Sequence, residues 1–102
     1  MLSLTVVLLA FAVSAQAVSF AQYVGYTIAG AKYIKGYVTK DGEFKTQFDG
    51  CDFGRQIVFD DGTYLTCTQY GYHYAYHPEA VLLVRHGEWV MIVDDKAYDM
   101  RN

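Results

Sequence analysis

Four glycine turns cut this chain into short pieces, and their spacing limits its fold more than any other feature. Asp41-Gly42, Asp49-Gly50, Asp61-Gly62 and His86-Gly87 each join a glycine to a polar neighbour, the pattern of hairpin turns. The runs between them are short and rich in Tyr, Phe, Val, Ile and Thr, which suit a pleated, half-buried surface. They read as strands over residues 24–28, 33–39, 44–48, 56–60, 63–69, 81–85 and 89–93, with a last one at 97–100. Ten tyrosines and six phenylalanines against a single proline favour the same reading. The expected fold is all-β: a small antiparallel barrel or compact sandwich, SH3-like or OB-like, of about seven short strands.

Keeping apolar faces together tests the length of each turn. A three-residue loop, Lys40-Asp41-Gly42, sets Val38 opposite Phe44 and Ile34 opposite Phe48, and gives Gly42 the left-handed position. A two-residue loop would set Val38 against Lys45. At His86-Gly87 two residues suffice: Val84 then faces Trp89, Leu83 faces Val90, and Arg85 with Glu88 closes the hairpin as a charge pair. For Asp61-Gly62 either length pairs apolar with apolar. Both faces of 81–84 and 89–93 are apolar, so this hairpin is expected to be central, with Val84, Trp89, Val90 and Ile92 largely buried.

The N-terminus has a different character. Residues 4–13 form an unbroken apolar run of about ten residues, the length of a secretory h-region. Ala15-Gln16-Ala17 follows at signal-peptidase spacing, so residues 1–17 read as a signal peptide and 18–102 as one small β domain. Its core is expected to be a helix making few contacts with the rest. An uncleaved anchor is the competing reading, because Leu2 to Phe20 is uncharged throughout. The polar Ser14, Gln16 and Ser19 and the lack of a basic stop-transfer flank count against it. The expected location is secreted or periplasmic, without stable membrane insertion after cleavage.

An exported domain of this size has a marginal core, so covalent help matters. Cys51 and Cys67 are the only cysteines, and an oxidising compartment favours a bridge between them. Closing that loop of about sixteen residues is worth on the order of 3 kcal/mol in the chain-entropy model. A redox CxxC spacing is absent, and two thiolates alone do not make a zinc site. The formal charge of −3, with no basic cluster, argues against a nucleic-acid partner.

The sharpest local signal is Tyr70-Gly71-Tyr72-His73-Tyr74-Ala75-Tyr76-His77-Pro78. On a strand, Tyr70, Tyr72, Tyr74 and Tyr76 share one face while Gly71, His73, Ala75 and His77 share the other. Two roles fit the row: rings that cap the barrel, or a contact surface for a protein or glycan partner. The second makes the four tyrosines the candidate binding residues. Small Gly71 and Ala75 would let another strand approach closely. His73 and His77 stand ~13 Å apart on a strand, too far to share a metal ion unless the segment bends or His86 joins them. No metal or other cofactor is expected. Asp60-Asp61 and Asp94-Asp95 read as turn residues that bond their own backbone rather than as Ca²⁺ ligands.

The segment Gly50-Cys51-Asp52-Phe53-Gly54-Arg55, together with the tyrosine run, resembles small exported bacterial proteins of unassigned function. The resemblance covers roughly the last fifty residues and brings no catalytic or binding role. From the residues, three functions compete. The first is a non-enzymatic binding module of the envelope or extracellular space, using the tyrosine surface. The second is a small hydrolase using His73 or His77 with a carboxylate such as Asp52 or Glu79. The third is a structural envelope protein with no ligand site. No catalytic residue is assigned, since Ser19 is the only serine outside the signal segment.

Overall fold

The computed structural model describes residues 19–102, so the expected signal peptide, its expected helix and the expected cleavage point lie outside the described residues. Nine strands follow a 3-10 helix at Phe20–Tyr23: β1 Thr27–Val38, β2 Phe44–Lys45, β3 Phe48–Cys51, β4 Gln56–Phe59, β5 Tyr64–Cys67, β6 Gly71–Ala75, β7 Glu79–Arg85, β8 Glu88–Val93 and β9 Lys96–Arg101. Six of them close an antiparallel barrel in the order β1-β4-β5-β9-β8-β7, with β7 returning to β1. Closure removes sheet edges, the usual liability of a small β protein. β2 extends the sheet beyond β1, and β3 with β6 forms a separate two-stranded sheet. Of the two architectures read from the sequence, the barrel is the one formed.

β1 makes the closure possible. The sequence suggested two strands, at 24–28 and 33–39, but a single twelve-residue strand serves both neighbours. Its first half pairs with β7 and its second half with β4. Register shifts between Ile28 and Gly30 and between Ile34 and Gly36 leave Ala29 and Lys35 as extra residues. Such bulges bend and twist a strand, which is what a barrel of this size requires. Residues 24–26 are not part of it. The segment carrying Tyr23 and Tyr26 packs instead over the outer face of β7–β8, where Leu83, Val90 and Ile92 form a second buried cluster.

The turns follow the sequence closely. Val38 pairs with Phe44 around Lys40-Asp41-Gly42, with the Gly42 N–H donating to the Thr39 carbonyl and Gly42 at φ +87°. The open choice at Asp61-Gly62 resolves to the same loop, since the Gly62 N–H donates to the Phe59 carbonyl. The β7–β8 hairpin turns on His86-Gly87, with Val84 opposite Trp89, Leu83 opposite Val90 and Arg85 opposite Glu88. Val90 and Ile92 are buried as expected, whereas Val84 and Trp89 are half-buried because they lie beside the turn, at the end of the hairpin.

Residues 44–48 are not continuous: β2 stops at Lys45, and Ile34 pairs with Phe59, not with Phe48. Phe48 turns into the barrel interior and packs edge-on against Tyr98, with ring centroids 5.8 Å apart. The completely buried Phe48 contributes more there than it could at a sheet edge. Cys51, next on β3, is bridged to Cys67 on β5, with Cα atoms 5.6 Å apart. The disulfide therefore ties the small sheet to the barrel. Phe48 and Cys51 belong to the same buried cluster as Ile57, Phe59, Met91 and Val93, so β3–β6 is a lid over the barrel core.

Candidate functional site

β6 is extended, and its two faces differ sharply. On the inner side, Ala75 packs on the barrel core, and a side chain at Gly71 would meet the Tyr98 ring at 3.1 Å. Gly50 on β3, opposite Tyr72, sits at φ +88°, where a side chain would collide with the Gly71 carbonyl. Small residues at 71 and 75 thus let β6 lie close on the core, and Gly50 lets β3 lie close against β6. With the inner face filled this way, the tyrosines have only one direction left. Tyr70, Tyr72, Tyr74 and Tyr76 are 67%, 66%, 54% and 79% exposed, so none of them caps the core.

Two histidine–carboxylate pairs fasten this strand to the barrel. His73 Nε2 lies 2.6 Å from Asp94 Oδ2, in the β8–β9 turn, where Asp94 adopts φ +54°. His77 Nε2 lies 2.8 Å from Asp60 Oδ2, in the β4–β5 turn, and its ring stacks on Tyr33 with centroids 5.1 Å apart. The carboxylates proposed from sequence as histidine partners are engaged elsewhere or not at all: Asp52 accepts from the Phe53 N–H, and Glu79 is exposed at the start of β7. Sequence spacing could not find Asp60 or Asp94, because both reach β6 only through the barrel's closure. The acidic pairs do occupy turns, yet Asp60 and Asp94 also serve as tethers. Exposed pairs of this kind contribute at most about 1 kcal/mol each.

Next to Asp60, the Asp61 carboxylate accepts from Lys32 Nζ at 2.8 Å and from the Thr63 N–H at 3.0 Å. The Lys32 contact, followed by those from Thr63, holds its carboxyl well below the usual carboxylate range. Beneath β6, burial pushes the Tyr98 phenol up to about 12, and the nearby Asp94 carboxylate adds to the shift. The Tyr98 hydroxyl has no hydrogen-bond partner among the described residues.

Metal chemistry finds no cluster to use: among the described residues, no three His, Cys, Asp or Glu side chains converge. His86 sits in the β7–β8 turn at φ +52°, and His73 and His77 hold separate carboxylates. Among the described residues, no residue between 70 and 77 lines the surface depressions of about 490, 310 and 200 Å³. The aromatic face is exposed outside these depressions. Tyr33, half exposed and stacked on His77, extends that surface beyond the row, a contact with no signal in the sequence.

No helix of the described residues is long and apolar enough to cross a membrane. Comparison with protein-family models, with curated proteins and with solved structures finds no match to the chain.

Proposed function

We propose that this protein is an exported, non-enzymatic interaction module that binds a protein or glycan through the outward face of β6. One observation carries the reading: Tyr72 and Tyr74 on β6 and Tyr70 and Tyr76 flanking it are all exposed, while Gly71, His73 and Ala75 between them are half-buried, His73 held by Asp94. A core role would require contacts all round each ring, and exposure of more than half of every ring is incompatible with it. Clustered aromatic surface of this kind marks an interaction site, because tyrosine offers large, rigid contact area at low entropic cost. Export rests on the apolar run with its Ala15-Gln16-Ala17 site and on the Cys51–Cys67 bridge, which suits an oxidising compartment.

The hydrolase reading draws on the 2.6 Å contact between His73 and Asp94, a geometry shared with the acid–base half of many hydrolytic centres. It would need a nucleophile or activated water in a cleft beside His73, and that side of the strand faces the barrel. The test is the variant Tyr72→Ser/Tyr74→Ser. The expected result is loss of what wild type retains from an envelope extract or a glycan array, at unchanged Tm. Retention of binding by the variant would overturn the reading.

A further inference from the structure

The tyrosine run is symmetric. Read in either direction from His73, residues 70–76 give the same order: histidine, tyrosine, small residue, tyrosine. We propose that the partner of this surface is a second copy of the chain, meeting β6 antiparallel about a two-fold axis beside His73. The proposal rests on the reading of β6 as a contact surface and names what it contacts. Under that symmetry Tyr70 lies opposite Tyr76 of the second copy, Tyr72 opposite its Tyr74, and Gly71 opposite its Ala75. A two-fold interface uses the same patch on both subunits, so that residue i meets j and j meets i, and the palindrome here matches like with like in each such pair.

Three further observations agree. First, β6 is hydrogen-bonded to β3 and to no other strand, and outside that ladder no backbone group of residues 70–76 has a backbone partner among the described residues. The Gly71 carbonyl and His73 amide lie against Gly50, so Tyr72 directs its own N–H and C=O away from β3. An edge of this kind is a template for another strand, and residues 70–77 lack the lysines, carboxylates and proline that usually protect one. β6 carries a bulge, with His73 and Tyr74 both opposite Asp49, so the outer ladder is interrupted and the rings carry most of the contact.

Second, charge favours this patch. With histidine neutral, residues 70–77 carry no formal charge of their own, and the neighbouring carboxylates Asp94 and Asp60 are each engaged by a histidine of this segment. Third, the area suffices. Four rings at the observed exposures offer on the order of 500 Å² per chain. Doubled, that reaches the roughly 1,000 Å² below which specific interfaces are rare. A contact at this limit forms a weak dimer that dissociates on dilution into the micromolar range.

Sedimentation equilibrium of the full protein, from micromolar to millimolar, tests the proposal against Tyr72→Lys/Tyr74→Lys. The expected result is a monomer–dimer equilibrium in wild type and at least a tenfold weaker one in the variant. Should the lysine variant not fold, Tyr72→Thr/Tyr74→Thr keeps strand propensity and removes the rings. Photo-oxidative cross-linking of wild type adds a positional readout, with dityrosine expected between Tyr72 and Tyr74 and between Tyr70 and Tyr76 of different copies. A monomeric wild type at all concentrations would overturn the proposal, as would a dimer that survives both variants or cross-links joining other tyrosines. A monomeric wild type that still captures a partner, lost in Tyr72→Ser/Tyr74→Ser, would sink self-association and leave the contact surface standing. Failure of every tyrosine variant to fold would overturn both.

Discussion

The β7–β8 hairpin and the β3–β6 lid are both two-stranded, apolar and rich in ring or branched side chains, yet they use those side chains in opposite ways. The hairpin buries both faces: Leu82, Met91 and Val93 into the barrel, and Leu83, Val90 and Ile92 under Tyr23 and Tyr26. The lid buries one face and leaves four tyrosines exposed on the other. The difference lies in what each region has available as cover. Residues 23–26 lie across the hairpin's outer face, while no described residue is packed over β6. Apolar content alone therefore does not mark core in a chain this small; the size of the residues on the opposite face does.

Breaking the hairpin should have the largest effect. Val90→Asp places a charge in the outer cluster with no partner and is expected to cost more than about 3 kcal/mol, leaving the protein unfolded or aggregated by circular dichroism. The lid depends on a different attachment. Cys51→Ala/Cys67→Ala is expected to cost about 3 kcal/mol in denaturant unfolding, and to raise amide exchange in β3 and β6 before the barrel strands.

Tyr98 sits where the two regions meet, with its ring under Gly71 and against Phe48. Its hydroxyl is buried without a partner, so Tyr98→Phe should stabilise the fold by about 1 kcal/mol. The raised phenol also gives an alkaline signature. The folded protein keeps a proton that the unfolded chain loses near pH 10, so this contribution is whole below pH 10 and is lost as pH rises towards about 12. Tyr98→Phe should flatten the fall in Tm across that window.

A smaller effect belongs to the turn beside His77. The Asp61 carboxyl, ordinarily near 3.8, is held down by Lys32 and Thr63, so the folded state binds fewer protons than the unfolded one. Its contribution is whole above about pH 4 and fades as pH falls below that. Asp61→Asn should reduce the loss of Tm between about pH 5 and pH 2, while leaving the tyrosine face untouched.

Much of this contrast could be read from the chain. The hairpin pairings at Lys40-Asp41-Gly42 and His86-Gly87 were legible because turn chemistry and apolar register are local. The Cys51–Cys67 bridge followed from composition and compartment. What escaped was set by closure of the barrel. Phe48 left the expected strand because the interior near Tyr98 could bury it, and β1 stayed continuous because Ala29 and Lys35 absorb the bend. The tyrosine row was visible as a row, but its side was not. Surface or core depended on whether Gly71 and Ala75 faced the barrel core, a tertiary fact. Asp60 and Asp94 as histidine partners, and Tyr33 as a stacking partner, lie far from the row in sequence and carried no local mark.

The central claim is that the β6 tyrosines serve contact and not folding, and thermal unfolding across protein concentration tests it most directly. Tyr70, Tyr72, Tyr74 and Tyr76 are replaced by Ser together, and Tm is followed through Trp89 fluorescence from dilute to concentrated solution. At the lowest concentration the variant should stay folded and melt no more than about 15 °C below wild type, since exposed substitutions change stability by up to about 0.5 kcal/mol each, about 2 kcal/mol for four. With increasing concentration, wild type alone should gain Tm, because self-association stabilises the folded state. A variant that is unfolded, or that melts far below wild type in dilute solution, would contradict the account and make the row part of the core.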